Sequence, residues 1–267
     1  QRADFFLLAM DQLVNGAAKW RYMFGGQHKV PITIRLIVGR GWGQGPTHSQ
    51  NFHSWFSNVP GLKVVMPTSP KDHKGLLISS IFDDNPVIFI EQRWIHNTVG
   101  PVSEKFFKTP IGKANIVKEG NDITIVAMSY LTNEAIRASK YLKEIGINAE
   151  ILDLRSLKPI DYNKILKSVK KTRRIIVLDP SHKTCSYGSE IISTVSQKLF
   201  NKLKAPPSLM TFPDFPMPTS QAFNDSYYFG YKKIYIKIAK NIFNKKPSKI
   251  IQKDINKFND VPDKNFL

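Results

Sequence analysis

Hydrophobic and polar positions along the chain fall into blocks of two different periods. In residues 3–22, Phe6, Met10, Leu13, Ala17 and Trp20 recur at spacings of four and three. That period puts them on one face of a helix. "GGQ" (25–27) ends it. "PITIRLIV" (31–38) is apolar and β-branched, which predicts a buried strand. A glycine-rich loop, "GRGWGQGPTH" (39–48), leaves that strand. "SQNFHSWF" (49–56) predicts a short helix and "LKVVMP" (62–67) a second strand. Ser69, Pro70 and Asp72 supply a hydroxyl cap, a proline at the first helical position and an acid in the first turn. They predict a helix to about Phe82. "DDNP" (83–86) then turns into the strand "VIFIE" (87–91).

The segment 100–113 has no period and reads as a boundary. Beyond it the alternation restarts. Strands are predicted at 122–128, 148–154 and 174–179, and helices at Thr132–Leu142, Asp161–Val169 and Tyr187–Leu199. Alternation of this kind predicts an α/β fold with two domains, each a mainly parallel sheet flanked by helices. The domains are expected at 1–101 and 102–247, with a basic polar tail at 248–267. In such folds ligands bind beyond the carboxyl ends of strands. Glycine permits positive φ and close backbone approach to a ligand, and His48 can exchange protons near neutral pH. A plain surface loop carrying a surface histidine is the alternative.

Composition narrows the function classes. The chain has 267 residues, 42% of them apolar, and one cysteine. A single cysteine excludes an internal disulfide framework and suits a reducing compartment, cytoplasmic or an organelle matrix. No run approaches the ~18 apolar residues of a membrane span, and no secretory signal is visible. The chain opens at Gln1 inside what reads as a helix, so a natural N-terminus is expected upstream. The net charge is +18, but the lysines are scattered. They thicken only in "KSVKKTRR" (167–174) and "NKKPSKIIQKDINKF" (244–258). Solvated faces are expected, with neither a nucleic acid nor a membrane as partner. Cys185 lies three residues from His182 with no third partner in view, which favours a structural role over a nucleophilic one.

Longer stretches carry a resemblance. "AMDQLVNGAAKWRYMFGGQ", "PITIRLIVGRGWGQGPTHSQNFHSWFSNVPGLKVVMPTSPKDHKGLL", "DDNPVIFIE", "IGKANIVKEGNDITIVAMS", "AEILDLRSLKPID" and "YGSEI" closely resemble one family. It is the beta subunit of the thiamine-diphosphate-dependent component of 2-oxo acid dehydrogenase complexes, acetoin dehydrogenases included. The resemblance spans about residues 3–230. It implies a transketolase-like pyrimidine-binding domain followed by a transketolase-type C-terminal domain. It also implies decarboxylation of a 2-oxo acid and transfer of the acyl group to a lipoyl carrier. The cofactor would lie between two chains. A separate alpha subunit would hold its diphosphate and Mg2+ through a Gly-Asp-Gly motif that this sequence lacks. The implied assembly is a heterotetramer of two alpha and two beta chains that serves a lipoyl acyltransferase core.

By resemblance, Phe5 packs on the aminopyrimidine ring and His48 is the active-site histidine of the "HSQ" turn. Main-chain oxygens of Ile32, Ser80, Ile81, Asp83 and Asn85 match a potassium site. Gln27 and Arg40 lie close to these motifs without an assigned role; Arg40 either faces an anionic substrate or pairs at the surface. Two departures stand out. The family's cofactor-activating glutamate would lie upstream of Phe5. "EQRWIHNTVG" replaces the usual E-N-x-x-x-Y ending, so Trp94 and His96 line a differently shaped site or an interface. The alternatives are an acetoin-cleaving dehydrogenase subunit and a catalytically silent docking subunit.

Overall fold

The computed structural model describes residues 1–39 and 43–248. A helical path begins at Phe5 and reaches α1 (Ala18–Met23). Next come β1 (Thr33–Val38), α2 (Gly45–His48), α3 (His53–Asn58), β2 (Lys63–Val65), α4 (Pro70–Ile81) and β3 (Val87–Gln92). The second half holds β4 (Asn115–Lys118), β5 (Ile123–Ala127), α5 (Tyr130–Glu144), β6 (Ala149–Asp153), β7 (Ser156–Lys158), α6 (Tyr162–Thr172) and β8 (Ile175–His182). It closes with α7 (Tyr187–Leu199), β9 (Ser208–Phe212), α8 (Asn224–Tyr227) and α9 (Tyr231–Ile236). Among the described residues, no helix is long and apolar enough to cross a membrane.

The strands form two parallel-dominated sheets flanked by helices. The first has the order β1-β3-β2-β7, with only β7 antiparallel. The second has the order β4-β6-β5-β8-β9, with only β4 antiparallel. The first sheet thus takes its last strand from residues 156–158, far along the chain. Alternation along each strand divides the core. Val65, Val87 and Phe89 face Leu76 of α4. Val64, Ile88 and Ile90 join a core that also holds Val126, Leu152 and Val177 of the second sheet, with Ile165 and Val169 of α6 and Ile191 and Val195 of α7. Ile123, Ile125 and Ile151 face the other way, toward Leu131 and Ala138 of α5 and Tyr235 of α9.

The capping pattern at Ser69 works as predicted. Its Oγ accepts the Asp72 amide at 3.0 Å, Pro70 occupies the first turn, and α4 ends at Ile81. The first helix departs from a uniform period. It starts as a 3-10 stretch (Phe5–Ala9), passes through a π turn (Gln12–Ala17) and only then becomes α1. Each π turn adds a residue and rotates the rest of the helix about its axis. Leu13 is therefore buried as expected, but Ala18 takes the buried place expected for Ala17, and Trp20 is exposed. The strand β1 is half buried rather than buried. Leu36 and Val38 face the core, while Arg35 is exposed and pairs with Glu91 of β3 at 2.8 Å.

Polar contacts tie the halves together. His53 Nε2 and Asp179 Oδ1 lie 2.8 Å apart with both side chains fully buried. Burial alone would raise the Asp179 carboxyl. The charge and hydrogen bond of His53, with the amide of Gly188, hold it below its ordinary value instead. Arg155 donates to Asp72 at 3.0 Å. Lys158 donates to the carbonyls of Ser57 and Val59 at 2.8 and 3.0 Å.

Asp153 lies beside this seam with the opposite balance. It is buried, its Oδ1 accepts the Arg155 amide at 3.2 Å, and among the described residues its Oδ2 has no partner within hydrogen-bond geometry, with the Thr68 hydroxyl nearby. Burial first, and the neighbouring Asp72 charge second, push its carboxyl up to about 7. The native state therefore holds a proton that the unfolded chain, with a carboxyl near 4, has already released. By linkage, this group's stabilising effect is full at low pH and is lost as pH rises from about 4 to about 7. Asp153→Asn removes that loss. In urea unfolding, the variant's stability relative to wild type should rise by about 2 kcal/mol between pH 5 and pH 8. Parallel pH profiles would refute the assignment.

Candidate active site

The glycine loop and the first residues of the chain meet at the carboxyl end of β1. Residues 1–3 run parallel to that strand: the Ala3 amide donates to Ile37, and the Ile37 amide to Gln1, both at 2.9 Å. The chain then turns into the helical stretch at Phe5, so Asp4 and Phe5 emerge where ligands of parallel sheets bind. His48 arrives at the same place from α2. Its imidazole stacks on the Phe5 ring, with centroids 5.2 Å apart and planes inclined by 26°. His48 Nδ1 lies 2.8 Å from Asp4 Oδ2. Phe5 is 49% exposed. A half-exposed ring backed by a second ring suits a flat heteroaromatic group on its open side.

Arg2 fixes the two approaching segments. Its Nη1 donates to the carbonyls of Gly39 and His48 at 2.7 and 2.5 Å. Burial lowers its affinity for its proton, as does the nearby charge of Arg93, against the opposing pull of Asp4. Neither Arg2 nor Asp4 belongs to a motif in the sequence; each meets its partner across roughly 40 residues. The only sequence signal was a charged pair just ahead of the first helix.

Gly39 and Gly45 make room for the protein's own side chains. A Cβ at Gly39 would fall 1.5 Å from Gln92 Oε1, and one at Gly45 would fall 2.6 Å from Thr219 Oγ1. Gly39, Gly43 and Gly45 all have φ near +70°, a region that L side chains avoid. Beside α2 a cleft of about 530 Å3 opens, lined by Thr47 and Gln50 on one side and by His182, Thr184 and Asp214 on the other. His182 Nδ1 sits 2.8 Å from the Pro213 carbonyl, so that nitrogen carries a proton. Cys185 is exposed and adopts φ +54°.

The residues expected at a potassium site lie at the end of α4, in the turn after it and just before β1. Asp83 accepts from Lys63 at 2.5 Å, and Asn85 Oδ1 accepts from Arg21 at 3.1 Å. The Ile32 carbonyl accepts from Val87 and the Ser80 carbonyl from Asp83. The side-chain oxygens of Asp83 and Asn85 are thus engaged, so a cation here would use main-chain carbonyls, through the second lone pair at Ile32 and Ser80. Among the described residues, no group of three or more His, Cys, Asp or Glu could hold a metal ion. Trp94 packs against the second sheet's core, and His96 Nδ1 lies 3.2 Å from Arg93 Nη1. Gln27 is exposed at the surface. Arg40 lies outside the described residues, as does the tail beyond Ser248.

Residues 1–96 match the transketolase pyrimidine-binding domain and residues 112–234 the transketolase C-terminal domain. The chain is 43% identical over 224 residues to acetoin:2,6-dichlorophenolindophenol oxidoreductase subunit beta of Bacillus subtilis (strain 168), an overlap of 84% of this chain and 66% of that protein. It is 41% identical over 215 residues to the pyruvate dehydrogenase E1 component subunit beta of Rickettsia bellii, covering 80% and 66%. Against the mitochondrial beta-2 subunit of the same enzyme in Oryza sativa the identity is 40%, covering 80% and 58%. The chain spans about two thirds or less of the length of these curated relatives. A split-gene transketolase, described as an inactive beta4 tetramer, superposes with a TM-score of 0.73 at 20% identity, over 92% of this chain and 75% of that one. That likeness speaks for the fold.

The close approach at Gly45 is directly testable. Gly45→Ala should destabilise the protein by about 1–2 kcal/mol through the positive φ and the contact with Thr219. Adding Thr219→Ala should recover the contact share and leave the backbone share. Chemical denaturation of the single and double variants measures both. A Gly45→Ala protein as stable as wild type would show that the loop tolerates a side chain.

Proposed function

We propose that this chain, which belongs to the transketolase family through its pyrimidine-binding and C-terminal domains, acts as the beta subunit of a thiamine-diphosphate-dependent 2-oxo acid dehydrogenase. The observation that carries the reading is the stacked pair of Phe5 and His48 at the carboxyl end of the first sheet. Phe5 offers its open face to the aminopyrimidine, and His48 holds and moves a proton beside the reacting group. Thiamine diphosphate would supply the nucleophilic carbon and the electron sink for decarboxylation. Arg2 keeps the histidine's main chain in place, so the imidazole costs little to orient when substrate arrives.

The remaining parts of the reading are an alpha subunit holding Mg2+ and the diphosphate, an acyl acceptor on a lipoyl carrier, and a cytoplasmic or organelle-matrix setting. Relatives named as beta subunits of both pyruvate and acetoin enzymes support the partnership. They leave an acetoin-cleaving dehydrogenase as the second reading. Reconstitution of the full-length chain with its alpha partner, assayed with pyruvate, branched-chain 2-oxo acids and acetoin, separates the two. Release of carbon dioxide from none of the 2-oxo acids would defeat the first.

His48→Ala should assemble normally, since loop side chains carry little core packing. Its turnover should fall by ~100-fold, the scale for losing a positioned proton-transfer group. His48→Gln should restore only part. Wild-type rates of both decarboxylation and acyl transfer in the alanine variant would make the histidine a spectator.

A potassium ion on the main-chain oxygens of Ile32, Ser80, Ile81, Asp83 and Asn85 belongs to the same proposal. The carbonyl ends of α4 carry partial negative charge, although Lys63 and Arg21 already bring positive charge to this turn. Binding to the native state alone should raise Tm saturably with potassium at constant ionic strength. Identical melting in potassium and tetramethylammonium would remove the site.

A further inference from the structure

The two ring nitrogens of His48 have different surroundings. Nδ1 lies 2.8 Å from Oδ2 of Asp4. A carboxylate oxygen can only accept, so in the neutral ring the proton sits on Nδ1 and Nε2 keeps its lone pair. Free imidazole side chains in water favour the other tautomer. Asp4 is the inner member of the pair, its side chain 8% exposed against 40% for His48. Phe5 sets the plane of the imidazole from one face, and Arg2 holds the main-chain carbonyl of His48.

Asp4 could instead serve the helical stretch that starts at Phe5. An aspartate before a helical turn ordinarily accepts a first-turn amide through its side chain. Asp4 does not: it adopts helical φ and ψ, and no side-chain capping bond forms. Only its main-chain carbonyl receives the Leu7 amide, at 3.2 Å. The carboxylate is committed to the imidazole.

We infer that Asp4 is a positioning residue that holds neutral His48 in its Nδ1–H form and leaves the Nε2 lone pair for the substrate. The inference rests on the reading of His48 as the proton-handling group. A proton taken from substrate forms the Nε2–H bond and makes the ring cationic. The Nδ1–H bond stays intact, and the Asp4 charge offsets the new one. When the proton is returned, Nε2–H breaks and the ring is neutral again. The substrate's bond to that proton breaks as Nε2–H forms, leaving its electron pair on the substrate, and forms again on return; nothing is oxidised.

The test reads the tautomer itself. The full-length chain, in the assembly it forms and labelled with 15N- and 13C-histidine, is examined by magic-angle-spinning NMR. The chain holds six histidines, and subtraction of a His48→Gln spectrum identifies the signals of His48. Wild type should show neutral His48 protonated at Nδ1. Asp4→Ala should move the proton mainly to Nε2. In the reconstituted enzyme the same variant should lose turnover by ~10-fold or more, in kcat rather than KM, because the wrong nitrogen then faces the reaction. A wild-type ring protonated at Nε2, or an Asp4→Ala spectrum unchanged from wild type, would overturn the inference. Wild type alone decides the point if Asp4→Ala does not assemble. The kinetics of His48→Ala test the underlying reading separately, because the tautomer is observed without turnover.

Discussion

The buried contact between His53 and Asp179 sets the relation between the two sheets, and the site hangs from one side of it. His53 opens α3, the element that ends the glycine loop, and Asp179 lies within β8. A hydrogen-bonded pair without solvent tolerates little displacement, because the Asp179 carboxylate alone would be an uncompensated buried charge. Asp179 is also held by the amides of Ser181 and Gly188, so the second sheet presents it in a fixed place. The loop carrying His48 is therefore anchored at both ends: by β1 and Arg2 at one, and by a side chain of the other sheet at the other. β7 works in the same direction, since it leaves the second half of the chain to pair with β2.

This constraint explains why glycine recurs between the anchors. A short loop with fixed ends, packed on Gln92 and on Thr219, has few backbone solutions, and those found here need φ near +70° at Gly39, Gly43 and Gly45. The sequence suggested that these glycines admit a ligand. The structure has Gly39 and Gly45 admitting the protein's own Gln92 and Thr219 side chains, and it is this packing that presents His48 beside Phe5. Freedom of the backbone was legible in the sequence; what would fill the space was not.

Elements written in local pattern were legible to within a few residues. α4 announces itself through Ser69, Pro70 and Asp72, and β5, β6 and β8 through continuous apolar runs. β7 was not, because three residues show no period and its pairing with β2 spans about 90 positions. β4 and β9 are short edge strands, and the helical stretch from Tyr231 onward buries aromatic residues against α5 that sequence alone leaves without a partner. The π turn before α1 shifted a regular period by one position. In the site, Phe5 and His48 were found through a resemblance of whole segments. Asp4 and Arg2 carry no such signature, and only folding brings them to the loop.

The exposure of the site has its own implication. Electrostatic and proton-transfer chemistry of the proposed kind works best where water is excluded. Yet Phe5 is half exposed and His48 only partly covered, and the same helical stretch presents Leu8 and Tyr22 almost fully to solvent. An apolar face of that kind on a protein surface marks a contact region. The chain's own residues fix one wall of the site: a ring to stack on, a histidine held by a carboxylate, and an arginine holding that histidine's main chain. A second wall lies outside the described residues; under the proposed alpha and beta partnership the alpha subunit would supply it. Rigidity on this side is then what allows the other side to close on a preformed surface, rather than ordering both at once at the expense of binding energy.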